Sequence, residues 1–400
     1  MQSKPVTRIL PIIVISQFFC TSLWFTGNVL PGLAKELGLT PDSLGHLASS
    51  VQFGFITGTI MYTLLGISDR YHPSKVFFIS AVFASLTNLS ILLITEGLPG
   101  LMILRFLTGF FLAGIYPVGM KIASDHYGKI LGKVLGFLVG ALVLGTAFPH
   151  LIRNFSNIPA WRIVFVLTSG LALFGGILVL FIPIGPFRIA SHKIDISAGL
   201  TIFRHKAFRI PALGYFGHMW ELYTFWAFIP FILSFWSTWH PEQPIKIELF
   251  SFIIIASGFV SCISSGFLSQ VYGSRKIAFV ALFLSGICCC ISPLIINMPF
   301  ICMAIFLIFW GMVVIADSPM FSTLVAQNAP PALKGTAITM VTCIGFSITI
   351  LSIECINVLK DLIRPQYLFL FLAPGPVFGL IALMQNRKIP QNPDHLLRQL

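Results

Sequence analysis

Apolar runs of about twenty residues recur along almost the whole chain, separated by short polar segments or by Pro and Gly. A bilayer core about 30 Å thick needs roughly 20 apolar residues per helix, so each run is long enough to cross it. Only 10% of the residues are charged and 56% are hydrophobic. Soluble domains carry about 25% charged residues, so a water-soluble fold and a disordered chain are both excluded. The pattern predicts an all-α polytopic membrane protein.

The apolar runs form two groups of six, because the longest polar break, residues 185–209, lies near the middle. We therefore predict an N-terminal six-helix bundle over 1–184, a cytoplasmic linker over 185–209, and a C-terminal bundle with a short tail over 210–400. The predicted spans are 9–31, 43–65, 76–95, 98–120, 131–152, 162–184, 210–236, 249–269, 277–296, 300–323, 336–358 and 366–384.

The distribution of Lys and Arg predicts the orientation in the membrane. With the N-terminus in the cytoplasm, 18 of the 25 basic residues fall on the cytoplasmic side, 6 on the opposite side, and Arg105 within a span. Cytoplasmic loops of membrane proteins carry the excess of basic residues. Both termini are therefore expected in the cytoplasm, in a multi-pass inner-membrane protein. The net charge of +12 forms no basic stripe, so no nucleic-acid partner is expected.

The two halves of the sequence resemble each other. A loop with Asp69 and Arg70 follows span 2, and a similar loop with Gln270 follows span 8, about half the chain later. At nearly the same offset, Pro117 in span 4 corresponds to Pro319 in span 10. Internal duplication of a six-helix unit is typical of transporters, whose two halves can move about a site between them.

These loops resemble the G-x-L-A-D-R-x-G-R-R/K motif of the major facilitator superfamily, and the resemblance covers essentially the whole chain. Leu65 and His72 occupy the glycine positions of the first copy. The resemblance implies twelve helices in two pseudo-symmetric bundles, with Asp69 holding their cytoplasmic ends together. The residues that match the motif are Asp69, Arg70 and Lys75 in the first copy and Gly266, Gly273, Arg275 and Lys276 in the second.

Further segments are similar to parts of this family. Arg105 and Gly109 match its R-x-x-x-G pattern in span 4, and the segment 217–223 resembles members near the nitrate and cyanate permease-like branch. The resemblance implies that helices 1, 4, 7 and 10 line a central cavity. The candidate cavity residues are Gln17, Asn28, Arg105, Tyr215, Trp220 and Tyr223, and the candidate proton-coupling residues are His218, Glu221 and Asp317.

Charged side chains inside spans point to a function, because each costs about 2.5–3.5 kcal/mol near the helix centre. His218 and Glu221 are three residues apart, on one face of span 7, where the pair could relay a proton or form a structural hydrogen bond. Arg105 either extends its side chain to the membrane surface, pairs with Glu221 or Asp317, or binds an anionic solute bidentately.

The sequence predicts a secondary active transporter that moves a small solute by alternating access with proton coupling, with organic and inorganic anions among the candidate solutes. An exporter of amphipathic compounds is the alternative, although span 5 lacks the Gly-Pro pair of drug/proton antiporters, and a receptor or channel is the third. No phosphate-binding loop or metal-ligand spacing is present, so we expect neither an enzyme nor a cofactor or metal. The expected partners are a solute, H⁺ and the lipid bilayer, and the protein is expected to be a monomer.

Overall fold

A computed structural model describes residues 6–24, 33, 36–39, 43–94, 97–127, 130–155, 160–188, 202–329 and 334–385. These residues form helices and turns, with no β-strand among them. The predicted all-α class is thus confirmed for the described part of the chain. In chain order the twelve helical segments are α1 Val6–Thr21, α2 Ser43–Leu64, α3 Pro73–Leu89, α4 Leu98–His126, α5 Leu131–Phe155, α6 Ala160–Val179, α7 Lys206–Trp239, α8 Ile247–Tyr272, α9 Ser274–Ile291, α10 Phe300–Asn328, α11 Lys334–Leu359 and α12 Pro365–Met384.

Nine of these segments, within the described residues, are long and apolar enough to cross a membrane. The other three are α1, α2 and α7. The apolar part of α1, Ile9–Thr21, is short. Helices α2 and α7 are long enough, but polar side chains interrupt their apolar sequences. A short helix, Ile67–Arg70, joins α2 to α3. The first turn of α7 lies inside the predicted linker 185–209, of which residues 189–201 are outside the described part.

Two helices are interrupted at equivalent places in the two halves. Helix α4 breaks between Leu112 and Tyr116, and α10 breaks at Asp317. Pro117 and Pro319 lie in the first turn of the helical piece that follows each break. Proline has no backbone N–H and its ring disturbs the preceding turn, so it fits the first turn of a helix without the loss of a hydrogen bond. These prolines occupy corresponding positions in the two halves of the sequence, but the sequence predicted continuous spans over 98–120 and 300–323.

The two halves meet along two seams, α2 against α11 and α5 against α8. The second seam is close because small residues line it. A Cβ atom on Gly136 of α5 would lie 2.8 Å from the carbonyl oxygen of Cys262 on α8, a separation at which one helix would have to shift. Gly266 on α8 packs beside Gly136 in ordinary contact. The glycines thus let the backbones approach.

Helix α1 ends at Thr21, although the apolar run predicted a span reaching residue 31. The chain then turns, with the N–H groups of Leu23 and Trp24 donating to the carbonyls of Cys20 and Thr21. The guanidinium of Arg105 on α4 donates hydrogen bonds to the carbonyls of this turn, as described below.

Candidate functional site

A buried ion pair joins α7 to α10 in the C-terminal half. Nδ1 of His218 lies 2.8 Å from Oδ1 of Asp317, and each side chain is only 1% exposed. The approach has the distance of an ion pair without the alignment of a hydrogen bond. Nε2 of His218 and Oδ2 of Asp317 have no hydrogen-bond partner among the described residues. The pair therefore has a donor or acceptor nitrogen and an acceptor oxygen available for a further group.

The break in α10 places Asp317 in this position. Asp317 precedes the helical piece Ser318–Asn328, and its carbonyl accepts the first hydrogen bond of that piece from Phe321 at 2.9 Å. The positive end of a helix dipole favours a carboxylate at such a site. The rings of Tyr215 and Phe321 flank the imidazole, with centroids 5.9 and 6.2 Å from it. A polar pair is thus enclosed by aromatic walls.

The N-terminal half contributes Gln17 of α1, which is linked to this pair through α4. Gln17 is fully buried, and neither its amide oxygen nor its amide nitrogen has a hydrogen-bond partner among the described residues. A Cβ atom on Gly119 of α4 would overlap this amide. One turn earlier, Tyr116 of α4 lies close enough to Tyr215 to interact with it electrostatically. We call Gln17, Tyr116, Tyr215, His218 and Asp317 the central polar cluster.

The central polar cluster draws on α1, α4, α7 and α10. Gln17, Tyr215, His218 and Asp317 were site candidates from the sequence. Tyr116 was missed, although its place directly before Pro117, at the break in α4, was a signal that could have found it.

Four aromatic rings form a cluster that consists of Trp24, just past the end of α1, and three rings around it. Trp24 contacts Phe55 at 4.7 Å between ring centroids, Phe346 at 5.4 Å and Tyr223 at 5.9 Å. Trp24 and Phe55 belong to the N-terminal half, while Tyr223 and Phe346 belong to α7 and α11. These rings therefore fill the space between the halves, and we call them the aromatic plug. Of its members only Tyr223 was a candidate from the sequence.

Glu221 lies apart from the His218–Asp317 pair. Its Oε1 accepts hydrogen bonds from Ser285 at 2.6 Å, from Trp310 at 2.7 Å and from the thiol of Cys289 at 3.3 Å. These partners belong to α9 and α10, so the carboxylate is enclosed within the C-terminal half. The expected neighbour on the same helix face, His218, turns instead toward Asp317.

Arg105 is buried, with 1% of its surface exposed, so it does not extend to the membrane surface. Its guanidinium donates to the carbonyl of Trp24 at 2.6 Å, to that of Leu23 at 3.2 Å and to Oδ1 of Asn88 at 3.3 Å. The amide nitrogen of Asn88 in turn donates to Ser169 at 3.0 Å. Arg105 thus binds the carbonyls of the turn that directly follows α1, a contact that we call the cap on α1. Neither Glu221 nor Asp317 is among these acceptors.

Two further cavity candidates lie elsewhere. The indole nitrogen of Trp220 donates to the carbonyl of Phe371 at 3.1 Å, and its side chain packs against Gly375 of α12, away from the central polar cluster. Asn28 is outside the described residues.

The residues of the loop motif lie at the face that bears the ends of α2 and α8. Asp69 falls in the helix Ile67–Arg70, but its side chain is outside the described part; Arg70 and Lys75 are exposed. Partial burial and the positive charges of Arg188 and Lys75 lower the pKa of His72 in this loop. The loop is therefore less readily protonated at His72 than an exposed imidazole would be.

The second copy of the motif is described in full. Gly273 has φ +82°, a left-handed value that favours glycine, and it joins α8 directly to α9. Arg275 donates to the carbonyl of Leu383 at the end of α12, and Lys276 lies 5.4 Å from the ring centroid of Tyr272. Gly266 lies in the α5–α8 seam. This copy therefore fastens the ends of α8, α9 and α12 to one another.

No group of three or more His, Cys, Asp or Glu side chains within the described ranges has the arrangement of a metal site.

Comparison with known proteins identifies relatives among transporters. The chain is 22% identical over 334 residues to a bicyclomycin resistance protein homolog of Haemophilus influenzae, which covers 79% of the chain and 80% of that protein. It is 25% identical over 177 residues to the putative uncharacterized transporter YgaY of Escherichia coli strain K12, which covers 42% of the chain and 43% of YgaY. The match therefore spans less than half the length of YgaY.

A solved structure shares the fold. The proton:xylose symporter XylE bound to 6-bromo-6-deoxy-D-glucose matches with a TM-score of 0.70 at 12% identity, covering 95% of this chain and 96% of that one. This likeness confirms the predicted twelve-helix architecture in two six-helix bundles. The family model of the Major Facilitator Superfamily matches residues 12–353. On this match and on the shared fold, the chain belongs to the major facilitator superfamily.

Proposed function

We propose that the chain is a secondary active transporter that moves a small polar solute by alternating access and couples this movement to protons. Its family and fold are those of transporters. The observation that carries the coupling proposal is the buried His218–Asp317 pair, whose two ionisable side chains meet between α7 and α10 and have polar atoms without a partner among the described residues. Gln17 on α1 supplies unpartnered amide groups from the other half.

Protonation changes what the pair offers to a solute. While Asp317 is ionised and His218 is protonated, the two side chains attract each other and the pair carries no net charge. A proton taken up by Asp317 removes this attraction and leaves the imidazolium free to donate elsewhere. The pair then carries one positive charge in a buried site. Binding of a proton and binding of a solute with acceptor groups therefore favour each other in this site.

The central polar cluster offers an amide, two phenols, an imidazole and a carboxylate, which suits a small solute rich in hydrogen-bonding groups. The interpretation of an anionic solute from the sequence relied on Arg105, whose donors are directed at the carbonyls of Leu23 and Trp24. We therefore propose that an anionic solute binds to the imidazolium of His218 when Asp317 is protonated. Tyr215 belongs to the same site, and Tyr223 to the aromatic plug that closes it.

Solute counterflow in proteoliposomes, screened with a panel of radiolabelled small metabolites, tests the proposal. We expect saturable counterflow of at least one solute, and accumulation driven by an imposed pH gradient that a proton ionophore abolishes. A receptor would show no exchange, and a channel would show no acceleration by solute on the opposite side.

Two matched variants assign the proton. Asp317→Asn should abolish proton-driven accumulation while sparing counterflow. Glu221→Gln removes the other buried carboxylate of the C-terminal half, the second candidate, and should leave accumulation in place. If only Glu221→Gln abolishes accumulation, the proton-coupling role belongs to Glu221 and its hydrogen-bonded neighbours.

Export of amphipathic compounds is the second candidate function. It is favoured by the relative named as a bicyclomycin resistance protein homolog and by the aromatic plug next to the polar cluster. Expression in a drug-sensitive strain would distinguish the two directions of transport: a rise in tolerance that Asp317→Asn removes supports export, and unchanged tolerance together with solute uptake supports import.

The remaining proposals concern gating and location. We propose that Asp69, with Arg70 and Lys75, stabilises closure of the face that bears the motif loops, and that Gly266, Gly273, Arg275 and Lys276 serve the same face in the second half. This face is proposed to be cytoplasmic, with both termini on the same side of an inner membrane. The transporter is proposed to act as a monomer.

A further inference from the structure

The face opposite the motif loops carries two histidine–glutamate pairs, and each pair crosses the boundary between the halves. We call it the outer face, where α2 and α8 begin and α5 and α11 end; the basic-residue distribution predicts that it is external. Nδ1 of His46 on α2 lies 3.6 Å from Oε1 of Glu354 on α11. Nδ1 of His150 on α5 lies 2.9 Å from Oε2 of Glu248 on α8.

The internal duplication relates these two pairs. The six-helix repeat places α2 on α8 and α5 on α11, so the two seams between the halves are equivalent. The imidazole belongs to the N-terminal half and the carboxylate to the C-terminal half in both. Neither pair belongs to the central polar cluster. Both seams of one face are therefore closed by the same kind of titratable contact.

Each pair has further partners that fix its carboxylate. Ser49 of α2 donates to Oε1 of Glu354 at 2.6 Å, which adds a second bond across the first seam. Arg153 of α5 lies 2.6 Å from Oε1 of Glu248, so this carboxylate faces two basic groups of α5. Glu248 also lies in the first turn of α8, where the helix dipole favours its negative charge.

The charged groups around the two imidazoles are few. Near His46, beyond Glu354, two charged residues follow the end of α11: Lys360, which donates to Asn357 at 2.8 Å, and Asp361. The described part of α4, which packs on α2, carries Arg105, whose donors are directed at α1. Its other charged or titratable groups, Lys121, Asp125 and His126, lie near the opposite face.

Near His150, beyond Glu248 and Arg153, α6 carries Arg162, which pairs with Glu36 at 2.6 Å within the N-terminal half. Lys246 precedes α8 and is exposed. Among the described residues, a carboxylate is thus the charged group that directly faces each imidazole across the seam.

We propose that these two pairs are additional proton-binding sites, whose protonation holds the outer face closed. The inference rests on the alternating-access function proposed above. An ordinary imidazole becomes charged near pH 6.5, and an imidazolium attracts the facing carboxylate whereas the neutral ring does not. Opening of the outer face separates both pairs, so the attraction acts in the closed state alone. Acidification at this face therefore favours closure.

The two seams differ in how strongly they respond. When His150 loses its proton, Arg153 still holds Glu248 across the α5–α8 seam, so a charged contact persists. When His46 loses its proton, the contact with Ser49, which is neutral, is the one that still holds Glu354 across the α2–α11 seam among the described residues. The pH response is therefore concentrated at His46 and Glu354.

Distances between spin labels measure the opening directly. Labels on bio-orthogonal residues at Ile103 of α4 and Trp239 of α7, both 60% exposed near the outer face, report the separation of the halves and leave the native cysteines in place. Double electron–electron resonance in lipid nanodiscs, without solute, compares about pH 8 with about pH 5.5, on either side of the imidazole range. We expect the ratio of the short to the long distance to rise about fivefold to tenfold on acidification. One ion pair joins two solvent-accessible side chains, His46 and Glu354, and the other joins the buried ring of His150 to the partly exposed Glu248.

Three variants test the assignment. Glu354→Gln should remove most of the response, and Glu248→Gln a smaller part. Glu36→Gln is the matched control, because it removes a carboxylate of the same face whose partners lie within one half, and it should respond like the unmodified protein. Distances that do not change with pH, or a full response that survives in the double variant Glu248→Gln/Glu354→Gln, would overturn the inference.

Counterflow measured on the same preparations separates this inference from the proposed function. If a solute exchanges while the distances ignore pH, the outer pairs are not proton-sensitive and transport stands. If the distances respond to pH in the predicted order of variants while no solute of the panel exchanges, the gate stands and the transport proposal fails.

Discussion

Substitution of Arg105 tests whether this residue caps α1 or binds solute. Arg105→Met keeps much of the volume of the side chain and removes all of its donors, which leaves the carbonyls of Leu23 and Trp24 and the amide oxygen of Asn88 without this partner. Arg105→Lys keeps the charge but replaces a planar fork by one ammonium group, which reaches fewer of these acceptors. The two variants therefore remove the cap in two steps.

The magnitude follows from the three contacts. A hydrogen bond to a charged group contributes about 1.5–3 kcal/mol, and the 2.6 Å bond to Trp24 is the shortest of the three. Removal of the guanidinium also relieves the cost of burying its charge, which offsets part of the loss. We expect Arg105→Met to lower the free energy of unfolding by about 3–5 kcal/mol, and Arg105→Lys by about half as much.

Thermal unfolding in detergent, followed by size-exclusion chromatography, measures this order. We expect the Tm to fall by roughly 5–10 °C for Arg105→Met and by less for Arg105→Lys. Once a solute is identified, its KM in Arg105→Lys should change less than about threefold, because the guanidinium is directed at backbone carbonyls. A Met variant as stable as the unmodified protein would refute the capping argument. A tenfold rise in KM for Arg105→Lys with an unchanged Tm would assign the residue to solute binding.

Three further predictions concern packing, surface charge and topology. Gly136→Val should reduce counterflow at least tenfold, because a Cβ there would already lie 2.8 Å from the carbonyl oxygen of Cys262, whereas Gly170→Val, where a Cβ would meet no atom within 4 Å, should retain it. Hydrogen bonds from Trp161 and Arg162 lower the pKa of Glu36. These contacts therefore stabilise the fold at pH values above the ordinary glutamate pKa of 4.5, and the stabilisation is lost as the pH falls through the lowered pKa. Arg162→Gln should raise the pKa of Glu36, as measured by a tryptophan fluorescence titration with Trp161→Phe as the reference. Tags at both termini and in the linker 185–209 should react only with reagents that enter the cytoplasm, and labelling from outside intact cells would reverse the orientation.

The fold class could be predicted from the sequence because an apolar run of about twenty residues indicates a helix that crosses a lipid bilayer. The helix ends were less accessible. The run that contains α1 stays apolar to residue 30, yet the helix ends at Thr21, and Arg105 of another helix binds the carbonyls of Leu23 and Trp24 that follow. The breaks in α4 and α10 were hidden in the same way, since Pro117 and Pro319 marked them but apolar residues flank both.

The sequence predicted most of the residues of the candidate site, but it did not predict which of them contact each other. Spacing along α7 places His218 and Glu221 on one face, but it does not indicate which neighbouring helix each one meets. Asp317 lies near His218 only because α10 breaks there, and Glu221 meets Ser285 and Trp310. Contacts between helices, which the local pattern does not contain, decided these partners.

The cap on α1 has a consequence for the order of assembly in the membrane. A nascent chain that has inserted only α1 to α3 has the acceptor side of this network, with the carbonyls of Leu23 and Trp24 and the amide of Asn88 in place, but no cation to bind them. When α4 enters the bilayer, burial of its arginine costs about 2.5–3.5 kcal/mol. Hydrogen bonds to these carbonyl and amide oxygens reduce that cost. Helix α4 therefore partitions into lipid more readily beside α1 and α3 than alone. Proximity of the first three helices at the time the fourth is synthesised therefore lowers the cost of inserting Arg105.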